Sequence, residues 1–506
     1  MSDPAFDAKS AAFLRWFTAW PGATFHPDIR IEDLRGRGAG RGIVATADIP
    51  EDTTLFRIPR AAVLSTRTSD LPRRLPHLFE ASTAGLEDAS DNEADDDPHM
   101  RLPGGGGSDA NGRGGAAAAG APDNWVALIL VAIYEFLQGD GSRWKPYLDV
   151  LPARFETPMW WDGREVAELQ ASPVVGRIGR DEADGMFRAG VLPVVQAHAD
   201  VFYPAGAARL AEDELLALAH RMGSTIMAYA FDLESEDEDE DGGDGEDGDG
   251  WVVDREGSTV MGLVPMADIL NADAEFNAHV NHGEDCLTVT ALRPIPAGAE
   301  ILNYYGPLGN GELLRRYGYV TSHHARYDVA EISWELVLSV LRDALQLDDR
   351  VWGKALNELD LEEIEDAFVI ERDSGEPNSR GELDAAATFK ELPTDLIEQI
   401  HSLLKAIRHV SPDTIPDKAK RDEITLSTIH RALELKLAQY TTSQAYDYDL
   451  VSGDKVSGRQ KMAAVVRWGE KALLQEAVDF AYGKVEKTRS SIRRDDEPGA
   501  KRQKTR

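Results

Sequence analysis

Cysteine is almost missing from this 506-residue chain, where Cys286 stands alone. One thiol makes no internal disulfide, and no cysteine-rich zinc site can be built. Long apolar runs are missing too. Nothing approaches the roughly 18 consecutive apolar residues a membrane helix requires, although hydrophobic residues make up an ordinary 42%. A basic leader is also lacking, because "MSDPAFDAKSAAFLRWF" opens with acids and reads as a helix start rather than a targeting peptide. These absences point to an intracellular, metal-free protein with proper hydrophobic cores in roughly two or three domains.

Two chemistries are excluded by spacing. In "GRGAGRGIV" the glycines Gly36, Gly38, Gly40 and Gly42 alternate. Neither nucleotide-binding glycine pattern fits, and no helical periodicity follows. A glycine-rich bend between strands, open to close approach by a ligand, describes it better. No Gly-x-Ser-x-Gly occurs, so the serine-hydrolase elbow is absent. The segment "VPMADILNADAEFNAHV" (264–280) does place Asp273 near His279, but its spacing fits no standard metal site.

Bases are scarce: the formal net charge is −35. Residues 87–97 hold seven acids and 232–249 hold twelve, with no base in either run. Such runs are expected to be solvated, disordered insertions. An acidic surface disfavours direct nucleic-acid contact and suits a basic protein partner.

The remaining segments carry structure. Phe13, Trp16, Phe17 and Trp20 mark one side of a helix over 10–20. Short β-rich runs fill 30–65 and 259–304, and "NWVALILVAIYEFLQG" and "AEDELLALAHRMGSTIMAYAF" read as helices between them. The two β-rich blocks are expected to share sheets across that helical block. From about 330, Trp334, Val337, Leu338, Leu341 and Leu345 recur at helical spacing, as do Leu426, Ile429, Leu433, Leu437 and Tyr440.

In chain order stand "GAGRGIVATADIPEDTTLFRIPR", "SRWKPYLDVLP", "MAYAF", "VPMADILNAD", "ILNYYG" and "ELLRRYGYV". This series resembles the SET-domain protein lysine methyltransferases, in the group built like the Rubisco large-subunit methyltransferase. The likeness extends to the fungal ribosomal lysine methyltransferase branch. It implies an α+β fold: a split β-rich SET domain with a helical insertion, followed by an all-α C-terminal domain. The expected division is an N-terminal helix (1–23), a SET domain (24–306) with disordered loops at about 81–123 and 232–250, a helical substrate-binding domain (325–490) and a disordered basic tail (491–506).

The resemblance also implies roles. S-adenosyl-L-methionine is the expected cofactor, held by Ala39, Gly40, Arg41, Tyr229, Asn271, Ala272 and Tyr317, with Tyr305 catalytic and no metal. Ala272 replaces the family's histidine, so its contact is expected through the main chain. The expected partner is a basic protein substrate, a large-subunit ribosomal protein in the related branch, with no direct nucleic-acid or membrane contact. "KRQKTR" at 501–506 suits nuclear import. Two alternatives stay open: the same chemistry on another nuclear protein, and a decayed SET domain that only binds.

The chemistry explains the tyrosines. Methyl transfer needs a neutral lysine amine, whose pKa in water is about 10.4. An apolar channel beside a cation lowers it. Tyrosine rings can wall such a channel while their hydroxyls act as fixed dipoles. Tyr305 is expected at the transfer point, and Tyr304, on the opposite strand face, in plain packing. His323, His324 and His409 read as surface residues.

Overall fold

The structure, a computed structural model, describes residues 3–79, 124–233, 260–359, 364–453, 456 and 458–496. The acidic stretch at 81–123, residues 234–250 and the "KRQKTR" end lie outside the described residues. The chain divides into two compact units: residues 1–160, 179–306 and 377–383 form the first, and 161–178, 307–376 and 384–506 the second.

Three small sheets organise the first unit, and each joins strands from both β-rich blocks. The early strands are β1 (Thr24–Phe25), β2 (Ile29–Asp33), β3 (Arg41–Ala45), β4 (Thr54–Pro59) and β5 (Leu64–Ser65). The later ones are β6 (Ala230–Leu233), β7 (Val260–Leu263), β8 (Asn271–Ala272), β9 (Ala278–His282), β10 (Cys286–Ala291) and β11 (Glu300–Asn303). The sheet orders are β1-β4-β10-β9, β2-β3-β11-β8 and β5-β7-β6. Pairing is antiparallel except where β8 runs parallel to β11. Alternation drives this: β10, "CLTVTA", buries every second side chain, so Leu287 and Val289 meet Ile58 and Phe56 of β4.

The helices follow the apolar spacing. The N-terminal helix runs Pro4–Thr18, capped by Asp3, whose carboxylate accepts from the Ala5 amide at 3.1 Å. It buries Phe13 and Phe17 and stacks Trp16 on Tyr147 at 6.2 Å. The helix Asn124–Leu137 is apolar on all sides and sits in the core. The helix Glu212–Tyr229 stops two residues before the expected end. Ala230 turns extended (φ −74°, ψ 144°), and Ala230–Leu233 pairs with β7, a ladder that helical periodicity cannot reveal. Asp232 and Leu233, at the head of the expected acidic loop, therefore belong to a sheet.

The second unit is a helical assembly with one departure from the all-α expectation. Its helices Trp334–Leu345, Thr394–Val410, Lys418–Ala438 and Gly458–Asp496 bury Val337, Leu341, Leu403, Ile407, Ile429, Leu433 and Leu473 together. Against them lies an antiparallel pair, β12 (Ala330–Ser333) and β13 (Ala367–Ile370). These are four-residue runs with alternating burial, hidden in the sequence beside longer helical signals. Residues 161–178, within the span read as SET domain, belong here: Ser172 Oγ donates to Glu470 Oε1 at 2.6 Å, and Gln170 Oε1 accepts from the Thr441 amide at 2.9 Å. The last helix continues to Asp496, into the expected disordered tail. His324 is fully buried, its Nδ1 sharing a proton with Thr321 Oγ1 at 2.9 Å, so it is not a surface residue. His409 is 80% exposed, beside Glu358.

Candidate active site

The glycine bend is the turn between β2 and β3. The Leu34 amide donates to the Gly40 carbonyl at 2.9 Å, and Gly38 closes the turn at φ 85°. Only glycine adopts that angle without strain. A methyl group added at Gly36, Gly38 or Gly40 would meet nothing within 4 Å, so one side of the bend is open. Arg41 commits its side chain to neighbouring elements. Its Nε donates to Ser10 Oγ at 2.9 Å and its Nη1 to the Val150 carbonyl at 2.7 Å, and the guanidinium lies 3.9 Å over the Phe6 ring. Arg35 stacks on Phe6 as well, at 4.2 Å. Phe6 and Ser10 were not foreseen as site residues. The only sequence signal was the amphipathic helix that carries them.

Asn271 and Ala272 form β8, fixed by parallel pairing with Leu302 and Asn303. Asn271 Nδ2 donates to Glu300 Oε1 at 2.6 Å and to the Arg41 carbonyl at 3.3 Å. One amide therefore ties the later β block to the end of the glycine bend. Partial burial pushes the Glu300 carboxyl up, and the Asn271 hydrogen bond opposes the shift. Gly42 lies beneath this contact, with Leu34, Glu300 and Asn271 all crowding its α-carbon. Ala272 is buried, and its backbone pairs with Asn303.

Tyr305 follows β11 and is 7% exposed. Its hydroxyl donates to the Leu270 carbonyl at 2.7 Å. With its proton committed there, the oxygen presents only lone pairs to any further partner. Leu270 ends a turn, Ala267–Ile269, entered by Met266 at φ 82° and ψ −41°. In that turn Asp268 Oδ2 accepts from the Tyr147 hydroxyl at 2.5 Å. Burial raises the Tyr229 phenol well above its ordinary range, and the charge on Asp268 adds to the shift. Tyr304 stacks on Phe276 at 4.7 Å, the packing role expected for the opposite strand face. A later segment supports this corner, since the Phe276 amide donates to the Gly381 carbonyl at 3.0 Å.

Tyr317 ends the helix Asn310–Tyr317 in the second unit, where Gly318 (φ 79°) supplies the left-handed cap. Burial pushes its phenol up to about 12, and its ring lies 6.3 Å from Tyr319. The first unit thus brings together the bend with Arg41, Asn271–Ala272 and, through Leu270, Tyr305; Tyr229 packs 6.4 Å from Phe155, and Tyr317 stands in the other unit.

The sequence pattern of the SET domain matches residues 40–306. The chain belongs to the SET-domain family. This SET protein is 29% identical over 386 residues to ribosomal lysine N-methyltransferase 4 of Saccharomyces cerevisiae, covering 75% of this chain and 69% of the relative. It is 28% identical over 480 residues to human N-lysine methyltransferase SETD6, covering 88% and 85%. Among solved structures, the SET domain of LSMT bound to lysine and AdoHcy superposes with a TM-score of 0.59 at 17% identity, over 99% of this chain and 98% of that one. Rubisco LSMT bound to AdoMet gives 0.57 at 15%, over 100% and 98%. At such identity the structures attest the SET fold, and the α+β reading of the sequence holds.

Proposed function

We propose that this SET protein is an S-adenosylmethionine-dependent protein-lysine N-methyltransferase whose substrate is a basic protein, foremost a large-subunit ribosomal protein. The observation that carries the reading is the Tyr305 hydroxyl, held by the Leu270 carbonyl one residue from Asn271, whose amide anchors the Arg41 carbonyl.

The groups present fit the cofactor. The bend is exposed at Gly40 with room beside it, while the Arg41 guanidinium is taken up by Ser10, Val150 and Phe6. A phosphate-bearing ligand would call for the reverse. Carbonyls and a side-chain amide suit a cationic, amino-acid-bearing molecule. When bound, the cofactor supplies a methyl on a cationic sulfonium, ready for in-line displacement by a neutral amine.

Ala39, Gly40 and Arg41 would hold it with main-chain groups, and Asn271 fixes that main chain in place. Ala272 contributes its backbone, so the missing histidine ring costs no anchoring hydrogen bond. Tyr229 walls the site. The Tyr305 oxygen, its proton committed to Leu270, would offer its lone pairs to the cofactor's methyl group. For Tyr317, the support is the family match of "RRYGYV", and its own Phe variant tests it separately.

Holding donor and acceptor in line with water excluded can lower the barrier by about 7–11 kcal/mol. The net charge of −35 favours encounter with a basic substrate in the nucleus, to which the terminal "KRQKTR" suits it. A second reading keeps the chemistry and changes the substrate. It rests on the similarity to SETD6, a lysine methyltransferase whose name specifies no ribosomal target.

The test is transfer of labelled methyl from S-adenosylmethionine to undermethylated ribosomal proteins, with Tyr305→Phe in parallel. Label on a small basic protein, lost in the variant, supports the reading. Label confined to other proteins of a total extract keeps the enzyme and discards the ribosomal substrate. Absence of both transfer and cofactor binding leaves a SET fold that only binds.

A further inference from the structure

The chain enters the first unit once more at residues 377–383, a short strap flanked on both sides by second-unit sequence. A tight turn shapes it. Asn378 Oδ1 accepts from the Arg380 amide at 2.9 Å and the Glu382 amide at 3.1 Å, and Gly381 stands at φ 70°. The Gly381 carbonyl accepts from the Phe276 amide at 3.0 Å. A β-carbon at residue 381 would overlap the Phe276 carbonyl oxygen and lie 2.8 Å from its ring, so glycine alone seats the strap this closely. Arg380 pairs with Glu51 at 3.3 Å and Arg293 with Glu382 at 3.1 Å, but these partly exposed pairs contribute little. The fit on Phe276 fixes the strap.

Phe276 and Asn277 pass that grip on to the strand that carries Tyr305. Both are buried, and the Phe276 ring stacks on Tyr304 at 4.7 Å. Asn277 makes three hydrogen bonds to β11: Nδ2 donates to the Glu300 carbonyl at 2.9 Å, Oδ1 accepts from the Leu302 amide at 2.9 Å, and its own amide donates to the Leu302 carbonyl at 3.1 Å. The strand has few other ties. It pairs with β3 only at Glu300 and Ile301, and with β8 only at Leu302 and Asn303. Tyr305 stands two residues past its end, reaching the Leu270 carbonyl. A short side chain with a donor and an acceptor at its tip is needed at residue 277; aspartate lacks the donor, and leucine lacks both.

We propose that Asn277, seated by the strap at Gly381, is a positioning residue that sets the place of Tyr305 for methyl transfer. The inference rests on the catalytic role given to Tyr305 above. Asn277 acts through β11 rather than on the reacting groups. It also gives the strap a task, which is to press the turn after β8 against the strand that leads to the tyrosine.

The test is a double-mutant cycle on the full chain, reading transfer of labelled methyl at saturating cofactor and cofactor affinity by calorimetry. Asn277→Asp keeps the size of the side chain and its acceptor and removes the donor to Glu300. It should lower the transfer rate about 10- to 100-fold, the loss expected for a displacement near 1 Å, with cofactor Kd within about threefold. In a Tyr305→Phe background the same change should cost no more than about twofold further, because the hydroxyl it positions is already gone. Gly381→Ala, which pushes the strap off Phe276, should lower the rate about three- to tenfold and lose its effect in the same background. It carries the test should Asn277→Asp not fold. Equal losses with and without the Tyr305 hydroxyl, or a loss of cofactor affinity as large as the loss of rate, would overturn the inference while leaving the methyltransferase reading intact. Absence of transfer by the wild type would remove that reading, and the inference with it.

Discussion

Gly42→Ala isolates the junction between the glycine bend and Asn271. A β-carbon at residue 42 would overlap Leu34 Cδ1 outright and lie 2.8 Å from Glu300 Oε1 and 3.0 Å from Asn271 Nδ2. Leu34 is only 2% exposed, so its side chain has little room to swing clear. Glu300 and Asn271 hold each other at 2.6 Å and would have to separate or shift together. Overpacking of this kind costs about 1–3 kcal/mol. For a unit of this size that corresponds to a fall of about 3–9 °C in its melting temperature. Because Asn271 also holds the Arg41 carbonyl, cofactor affinity should drop with stability. Gly40→Ala is the matched control, since a β-carbon there meets nothing within 4 Å. Differential scanning calorimetry and cofactor titration of both variants would decide the matter. Equal melting temperatures for Gly42→Ala and Gly40→Ala would refute the claim that close packing at residue 42 sets the Asn271 contact.

Three further outcomes are expected. Tyr305→Phe should lower kcat by about 100- to 1000-fold, the usual cost of deleting one group that stabilises developing charge, while cofactor Kd stays within about threefold; equal losses in both would make the hydroxyl a binding group only. In the second unit, Asp447 has no exposed side-chain surface and pairs with the buried Arg467 at 2.9 Å and with Lys471. Asp447→Ala leaves Lys471 with only the Thr442 oxygens and Arg467 with Glu168 as its remaining carboxylate; it should cost about 3–5 kcal/mol in denaturant unfolding, and a loss under about 1 kcal/mol would show the cluster to be solvated. Glu470, hydrogen-bonded to Ser172 and Tyr440, is pushed up to about 8 by burial. Its folded pKa lies above the unfolded value of about 4.3, so the folded state binds the extra proton and stability falls as pH rises between those values. Glu470→Gln should flatten that decline in melting curves taken from pH 5 to 8, and an unchanged slope would contradict it.

Much of this was legible in one dimension because its signals are local. Alternation in "CLTVTA" names a strand, the nearly all-apolar run 124–137 names a buried helix, and the order of motifs from "GAGRG" to "ILNYYG" names the SET fold. Backbone sterics and burial periodicity act over a few residues, so the chain itself carries them. Tyr305 and Asn271 were legible only through the family pattern, since a tyrosine after a strand is by itself ordinary packing, as Tyr304 shows.

Other features exist only once distant segments meet. The partner of Asn271 is a carbonyl 230 residues earlier, and the partner of Asp268 is a hydroxyl 121 residues earlier. Phe6 and Ser10 acquire a role because a helix lies against Arg41. Residues 161–178 and β12–β13 find their places by long-range burial rather than by propensity. Sequence determined most of the strands and helices and which family they make, though not Ala230–Leu233 or β12–β13. Tertiary structure alone decided which hydroxyl, amide and carboxyl face one another, because a pKa or a hydrogen bond depends on distances that no local pattern encodes.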